Sequence, residues 1–585
     1  MKKFLKKYVL VVAAATAGFA SCKKILDVQP QDQLDATQMY RNVYDADAAV
    51  IGIYGKFQRL AERYILLNEL RADMLDYTMN ADENLRQLSN HTVTANNPYA
   101  SPRPYYELIV NCNDVLKNFN LMRRENKLKE AEYNQRYSDV ACMRSFLYLQ
   151  LGVHYGRIPY VTDALETVDA VRDESRFPRL EFETLVDSLI IFTEAIPFKD
   201  QYPTGTSLMV SVDGYQTTKF FINKKVLLGE LYLWKNNYRK AADYFRQVLE
   251  TSTSGAFGEA YYNQYKLGWS GSRTSPNAND HYVRYTRPGD ASTLAWTNSW
   301  VNMFERGQDN GFNWEWIWVI PFDNKFSPEN PFVKLFSPIG GQYLVKPSKA
   351  AMDLYNSQTQ LSVQGLGLPY DARGAYTYRE IGGQPVVMKY LYNYLDKITG
   401  LPINVLQRNS KWFLYRQTQL QLRFAEAANR DNRHRLAAAF VNNGITGTYP
   451  APTSDVTNFH NTLNEPYPYN FDGRNSGSSG IPYYRADWYR HQGIRNRANV
   501  VNNVYAPADS LRQIENSILD ELGLENGYEG TRWPDLVRVA LRTNDFTVVS
   551  RRIANKLRRE GRGAEAAVAE AKLSTRDGLF LPFKW

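Results

Sequence analysis

The chain has 585 residues, 44% of them hydrophobic and 22% charged, with 70 Lys and Arg against 61 Asp and Glu. This composition is globular and excludes a wholly disordered chain, and 35 Gly, 26 Pro and 3 Cys exclude a collagen or a disulfide scaffold. No apolar run reaches the roughly 18 residues of a spanning helix, which excludes a polytopic helical membrane protein.

The first segment reads as an address. Lys2, Lys3, Lys6 and Lys7 form a positive start, and an apolar stretch of small residues runs from Tyr8 to Ala20. It is the length of a signal-peptide core and too short to span. It ends in Phe19-Ala20-Ser21-Cys22, which resembles a bacterial lipobox, with Phe19 where Leu is more usual. The expectation is a lipoprotein signal peptide over 1–21 and lipidation of Cys22, by palmitate among other acyl chains. Losing four Lys lowers the formal charge from +9 to +5, too little over so long a chain to suggest nucleic acid.

Beyond it, apolar residues at spacings of three and four predict a helix within 37–70, and the Asn-rich stretch 78–103 reads as a long loop. Helices are predicted over Tyr105–Met122 and Glu130–Tyr155, the second stopped by Gly156 and Pro159. In 217–250, Leu228-Gly229-x-x-Tyr232 followed by Ala241-x-x-x-Phe245 has tetratricopeptide spacing. A small residue there lets two helices cross, and a large one fills the gap. Leu151-Gly152-x-x-Tyr155 is a weaker match. From 253 the chain turns to Gly, Ser, Asn and Trp. Trp314, Trp316 and Trp318 alternate as on one face of a strand and are assigned to the core. Helical pattern resumes at 414–428, 436–441 and 510–524, with an irregular, Tyr-rich stretch at 442–507 between them. Cys112 and Cys142 read as buried free thiols, with a disulfide as the alternative.

Five motifs together resemble the SusD/RagB family of outer-membrane nutrient-binding lipoproteins. They are Cys22-Lys-Lys-Ile-Leu-Asp27 before Gln29-Pro30, Tyr105-x-x-x-Ile109-x-x-Cys112-Asn113-x-x-Leu116, and Ala141-x-x-Arg144 running on to Gly156-x-x-Pro159. The other two are Leu422-Arg-Phe-Ala-Glu-Ala427 and Glu529-Gly530-x-Arg532-Trp533-x-Asp535-Leu536-x-Arg538. The resemblance implies a mainly α fold, a tetratricopeptide-like helical repeat scaffold with long irregular loops and a few short strands. It implies a single body over 22–585: a helical part (22–252), an aromatic loop-rich part (253–413), and C-terminal helices and loops (414–585). Arg144, Arg532 and Asp535 would be buried charge-paired positions and Trp533 core. The function implied is capture of oligosaccharides or peptides at the outer membrane, anchored by lipid and exposed at the cell surface. The ligand would pass to a TonB-dependent, SusC-like transporter.

Two other readings stand beside it: a tetratricopeptide protein-interaction scaffold at the outer membrane, and a secreted glycoside hydrolase. The six His make no H-E-x-x-H and no G-x-S-x-G occurs, so no catalytic residue, metal or cofactor is assigned and no enzyme is expected. Ligand contact is assigned to Trp269, Trp296 and Trp300, which sit among polar and small residues where a core is hard to build, and to Tyr99 in the Asn-rich loop. Asn96, Asn97 and Arg103 are candidate polar contacts beside it.

Overall fold

The computed structural model describes residues 39–165, 176–212, 215–251, 301–305, 315–361, 367–449, 461–473, 488–489 and 493–584. Cys22, Trp269, Trp296, Trp300 and Trp314 lie outside them. Helix α1 (Val43–Gln58) starts where the Asn42 side chain accepts the Tyr44 and Asp45 amides, and it buries Ala46, Val50, Ile53, Tyr54 and Phe57 on one face. The chain continues through Ala61–Ile65 into one π turn, Leu66–Leu70, and then strand β1 (Leu75–Tyr77).

The expected loop 78–103 contains a helix, α2 (Glu83–Asn90). Asp82 caps it, Leu85 and Leu88 bury its inner face, and His91 ends it in the left-handed region at φ 58°. Two apolar residues in an Asn-rich run are too faint a pattern to read, and the cap carries the helix. Next come α3 (Arg103–Arg124), α4 (Glu130–Tyr155), α5 (Phe182–Ala195), α6 (Lys224–Trp234) and α7 (Tyr238–Leu249). Each packs on its successor. A Cβ on Gly229 would lie 2.5 Å from the Phe245 ring, so the tetratricopeptide reading holds. Gly152 plays the same part on α4, where a Cβ would meet Phe182 and Leu185 of α5 at 2.7 and 2.8 Å. The weaker motif is thus a second helix crossing, its partner helix displaced by an insertion after Pro159.

Strand β2 (Trp316–Phe322) pairs antiparallel with β4 (Ser410–Arg416), and β3 (Val345–Pro347) pairs with β1. Residues 414–416, expected in a helix, are strand because they complete the β2 ladder. Trp316 and Trp318 are core, as assigned: their indole N–H groups donate to the Met303 and Phe220 carbonyls at 3.1 and 2.9 Å, and Trp318 stacks on Phe57. Helices α8 (Gln417–Arg430) and α9 (His434–Val441) extend the array by packing α8 on α7. Helices α10 (Ser510–Asn526), α11 (Arg532–Thr543), α12 (Thr547–Arg559) and α13 (Gly563–Leu573) complete it. The fold is mainly α, with its strands confined to short pairs.

Balanced ion networks hold the halves together. Where α10 backs onto β2 and β4, Glu315, Asp371, Glu521, Glu525 and Glu529 interleave with Arg373, Lys389, Arg416, Arg495 and Arg497, all buried. A second set joins Glu230, Glu426, Glu515 and Asp535 to Arg423, Arg430, Arg538 and Arg542. Buried charges persist only when paired and hydrogen-bonded this way. Arg532 pairs with Asp73 at 2.6 Å, and Trp533 is fully buried. Burial favours a neutral Asp73, yet the Arg532 charge and its hydrogen bonds hold the carboxyl at about 2. Arg144 departs from expectation. Its guanidinium donates to Asn113 Oδ1 at 2.7 Å and lies 4.3 Å from the Phe192 ring, with no carboxylate partner among the described residues. Asn113, on the neighbouring helix α3, serves as a neutral acceptor. Cys112 and Cys142 are buried and unpaired.

Candidate functional site

The loop after α2 is shaped by Asn97. Its buried amide donates to the Asn84 carbonyl at 2.9 Å and to Gln87 Oε1 at 3.2 Å, and its Oδ1 accepts the Tyr99 amide at 3.0 Å. This starts a tight turn, Pro98–Ala100, that presents Tyr99 half-buried. The Tyr99 hydroxyl donates to Glu62 Oε1 at 3.4 Å, and the same oxygen accepts Lys334 Nζ at 3.0 Å. Arg63 donates to the Tyr99 and Ser101 carbonyls, with its guanidinium 5.9 Å from the Tyr99 ring. Burial and the Glu62 charge raise the Tyr99 hydroxyl pKa, so the ring stays neutral. The aromatic is therefore held on both its backbone and its hydroxyl side while one part of the ring meets solvent. Asn97 is structural. Asn96 and Arg103 are exposed, with Asn96 accepting Lys584 Nζ at 2.9 Å and Arg103 paired with Glu107 at 3.0 Å.

The same loop supplies Val93 to a cleft of about 530 Å³, and Tyr155, whose hydroxyl donates to the Ala100 carbonyl at 2.8 Å, joins the two places. Tyr99 itself does not line the cleft. One wall comes from the end of α4: Tyr155, Gly156 and Arg157. Gly156 has φ +69°, and a Cβ there would meet the Phe580 ring at 2.8 Å, so only glycine lets the opposite wall of Phe580, Leu581 and Pro582 close in. Glu181, Lys572, Arg576 and Asp577 form the polar rim. Sequence reasoning missed this cleft because its walls lie some hundreds of residues apart. The only local sign was Gly156 followed by Pro159.

Behind the cleft the charges are unusual. Arg71 is buried, with no carboxylate partner among the described residues. It contacts His154 Nδ1 at 3.1 Å, donates to the Leu579 carbonyl at 2.7 Å, and lies 4.1 Å from the Trp533 ring. Burial pushes it down to about 9. His91 and His154 are held neutral, by burial first and by the Arg71 charge second. Lys572 donates to the His91 carbonyl at 2.8 Å, and burial together with Arg71 lowers its pKa. Among the described residues no three His, Cys, Asp or Glu side chains gather as a metal would need, and no helix is long and apolar enough to cross a membrane.

No protein-family model matches the sequence, and no curated protein does. Solved structures match over nearly the whole chain. A SusD superfamily protein from Bacteroides vulgatus aligns over 93% of this chain and 96% of its own, with a TM-score of 0.57 and 13% identity. A laminarin-binding SusD-like protein aligns over 91% and 96%, with a TM-score of 0.52 and 15% identity. Surface glycan-binding protein A from Bacteroides uniformis aligns over 92% and 96%, with a TM-score of 0.53 and 15% identity. This chain has the SusD-like fold. Within that SusD-like body, Tyr99 and the cleft lie beside the turn that ends α4, whereas the helix crossings at Gly152 and Gly229 are filled by their own side chains.

Proposed function

We propose that this chain is a glycan-binding protein of the cell surface, anchored to the outer membrane through acyl chains on Cys22, that hands its ligand to a TonB-dependent, SusC-like transporter and catalyses no reaction. The observation that carries the binding role is Tyr99: a neutral, half-buried aromatic locked by Asn97, Glu62 and Arg63 beside a cleft of about 530 Å³. A flat ring held in one orientation offers a stacking surface for a sugar at little entropic cost. Similarity of fold to proteins named for binding laminarin and surface glycans supports the ligand class. Trp269, Trp296 and Trp300, outside the described residues, remain assigned as further stacking partners.

Calorimetric titration of the intact protein with laminari-oligosaccharides, other neutral and acidic glycans and short peptides tests the reading. A glycan class binds, and Tyr99→Ala weakens it about tenfold, or about 1.4 kcal/mol, with the melting curve retained. Undiminished affinity in a folded Tyr99→Ala protein removes Tyr99 from the site. Binding of peptides alone moves the ligand class to peptides.

A further inference from the structure

Within the two ion networks, acids and bases are matched. Around the cleft they are not. Three cations line it, Arg157, Lys572 and Arg576, against the carboxylates of Glu181 and Asp577. Arg157 and Arg576 hold only solvent-exposed partners, Glu181 at 3.2 Å and Glu183. Such exposed pairs contribute at most about 1 kcal/mol and exchange readily for another anion. Lys572 has no carboxylate among the described residues, only the His91 carbonyl. Arg71, one layer deeper, adds a positive charge with no carboxylate partner there either, and its Nε finds no acceptor. His91 and His154, packed between, contribute no compensating negative charge.

The geometry points to an acidic saccharide as the occupant: a uronate-bearing sugar whose carboxylate pairs with Lys572, with Arg157 and Arg576 turning to it from the rim, and whose ring lies against Phe580 and Pro582. The cleft falls within the roughly 300–1,000 Å³ of small-ligand sites and combines apolar walls with a few convergent polar groups. A carboxylate there would give Lys572 the counter-charge it lacks among the described residues, an attraction that salt screens. This assignment rests on the glycan-binding reading and names the chemistry of its ligand.

The test compares trigalacturonate with its fully methyl-esterified form, in which each carboxylate is capped as a neutral ester, and with neutral laminaritriose, on the intact protein. Trigalacturonate binds at least about tenfold more tightly than the ester, and raising the salt erodes the difference. Lys572→Met removes the preference, Lys572→Arg keeps it, and both variants melt like the parent because Lys572 is exposed. Equal affinity for acid and ester, or a preference that survives Lys572→Met, overturns the inference. Binding of laminaritriose without trigalacturonate overturns it and leaves the glycan reading standing. Binding of none of the three, with no other glycan bound, overturns both.

Discussion

At the contact of α10 with β2 and β4, Arg373, Lys389, Arg416, Arg495 and Arg497 each have a carboxylate within ion-pair distance, and Arg416 alone reaches Glu315, Glu525 and Glu529. At the contact of α12 and α13 with the segment 70–91, the buried Arg71 and Lys556, with Lys572 at the surface above them, reach carbonyls, a hydroxyl and an imidazole instead. Both regions are built by the same helical array, and the signature Glu529–Arg538 feeds both, through Glu529 on one side and Trp533 on the other. The difference separates two uses of buried charge. A balanced network is complete and holds elements in register. An unbalanced one is a standing positive potential, and it lies behind the cleft.

The same substitution made in each region tests that contrast most sharply. Arg416→Met leaves three carboxylates short of a cation and costs about 3–5 kcal/mol in denaturant unfolding. A loss below about 1 kcal/mol would mean the network is not balanced as described. A middle-sized effect is expected from pH. Burial pushes Lys556 down to about 8, with Asp76 pulling it back and Arg562 adding to the shift. Between pH 8 and about 10 the unfolded chain then binds more protons than the folded one, so stability rises with pH, by roughly 1–3 kcal/mol. Lys556→Met flattens that rise. The network behaves oppositely: burial works against the Glu525 carboxylate, but Arg497, Arg416 and Arg373 hold its pKa low, so its contribution is present above the ordinary Glu range and lost as pH falls below it. The smallest effect belongs to Arg71→Met. It gives up the bond to the Leu579 carbonyl and the contact with Trp533 but removes an uncompensated charge, so unfolding shifts by about 1 kcal/mol or less. A large loss there would show that Arg71 is paired after all.

What could be read in the sequence follows from distance along the chain. Gly229 and Phe245 are sixteen positions apart and announce their helix crossing by spacing. The Glu529–Arg538 run announces that charges are buried, but its partners, Asp73, Arg416 and Glu426, lie more than a hundred residues away and carry no local mark. Arg144 matched a motif, yet its acceptor is the neutral Asn113, because recognising an arginine does not tell what faces it. Tyr99 was legible as an aromatic in a polar loop. The Asn97 lock and the Glu62 hydroxyl contact that make it a platform were not: the first depends on α2, a helix whose cap outweighs its faint apolar pattern, and the second on a carboxylate from the earlier segment Ala61–Ile65. The cleft was illegible altogether, being the meeting of four segments that share no pattern.

The wall formed by Phe580, Leu581 and Pro582 has a consequence for how the molecule comes together. The Leu581 amide donates to the His154 carbonyl at 2.8 Å, Arg71 donates to the Leu579 carbonyl across 508 positions, and Phe583 rests edge-on against Tyr106 and Tyr155. A nascent chain still short of residue 579 therefore has the end of α4 uncovered, with Tyr106 and Tyr155 facing water. Closing so long a loop is slow, and the helices that meet early must wait for it. The stretch 579–584 acts as a clasp on the finished body, and a chain that lacks it would expose an aromatic seam to the proteases and chaperones that sort incomplete products.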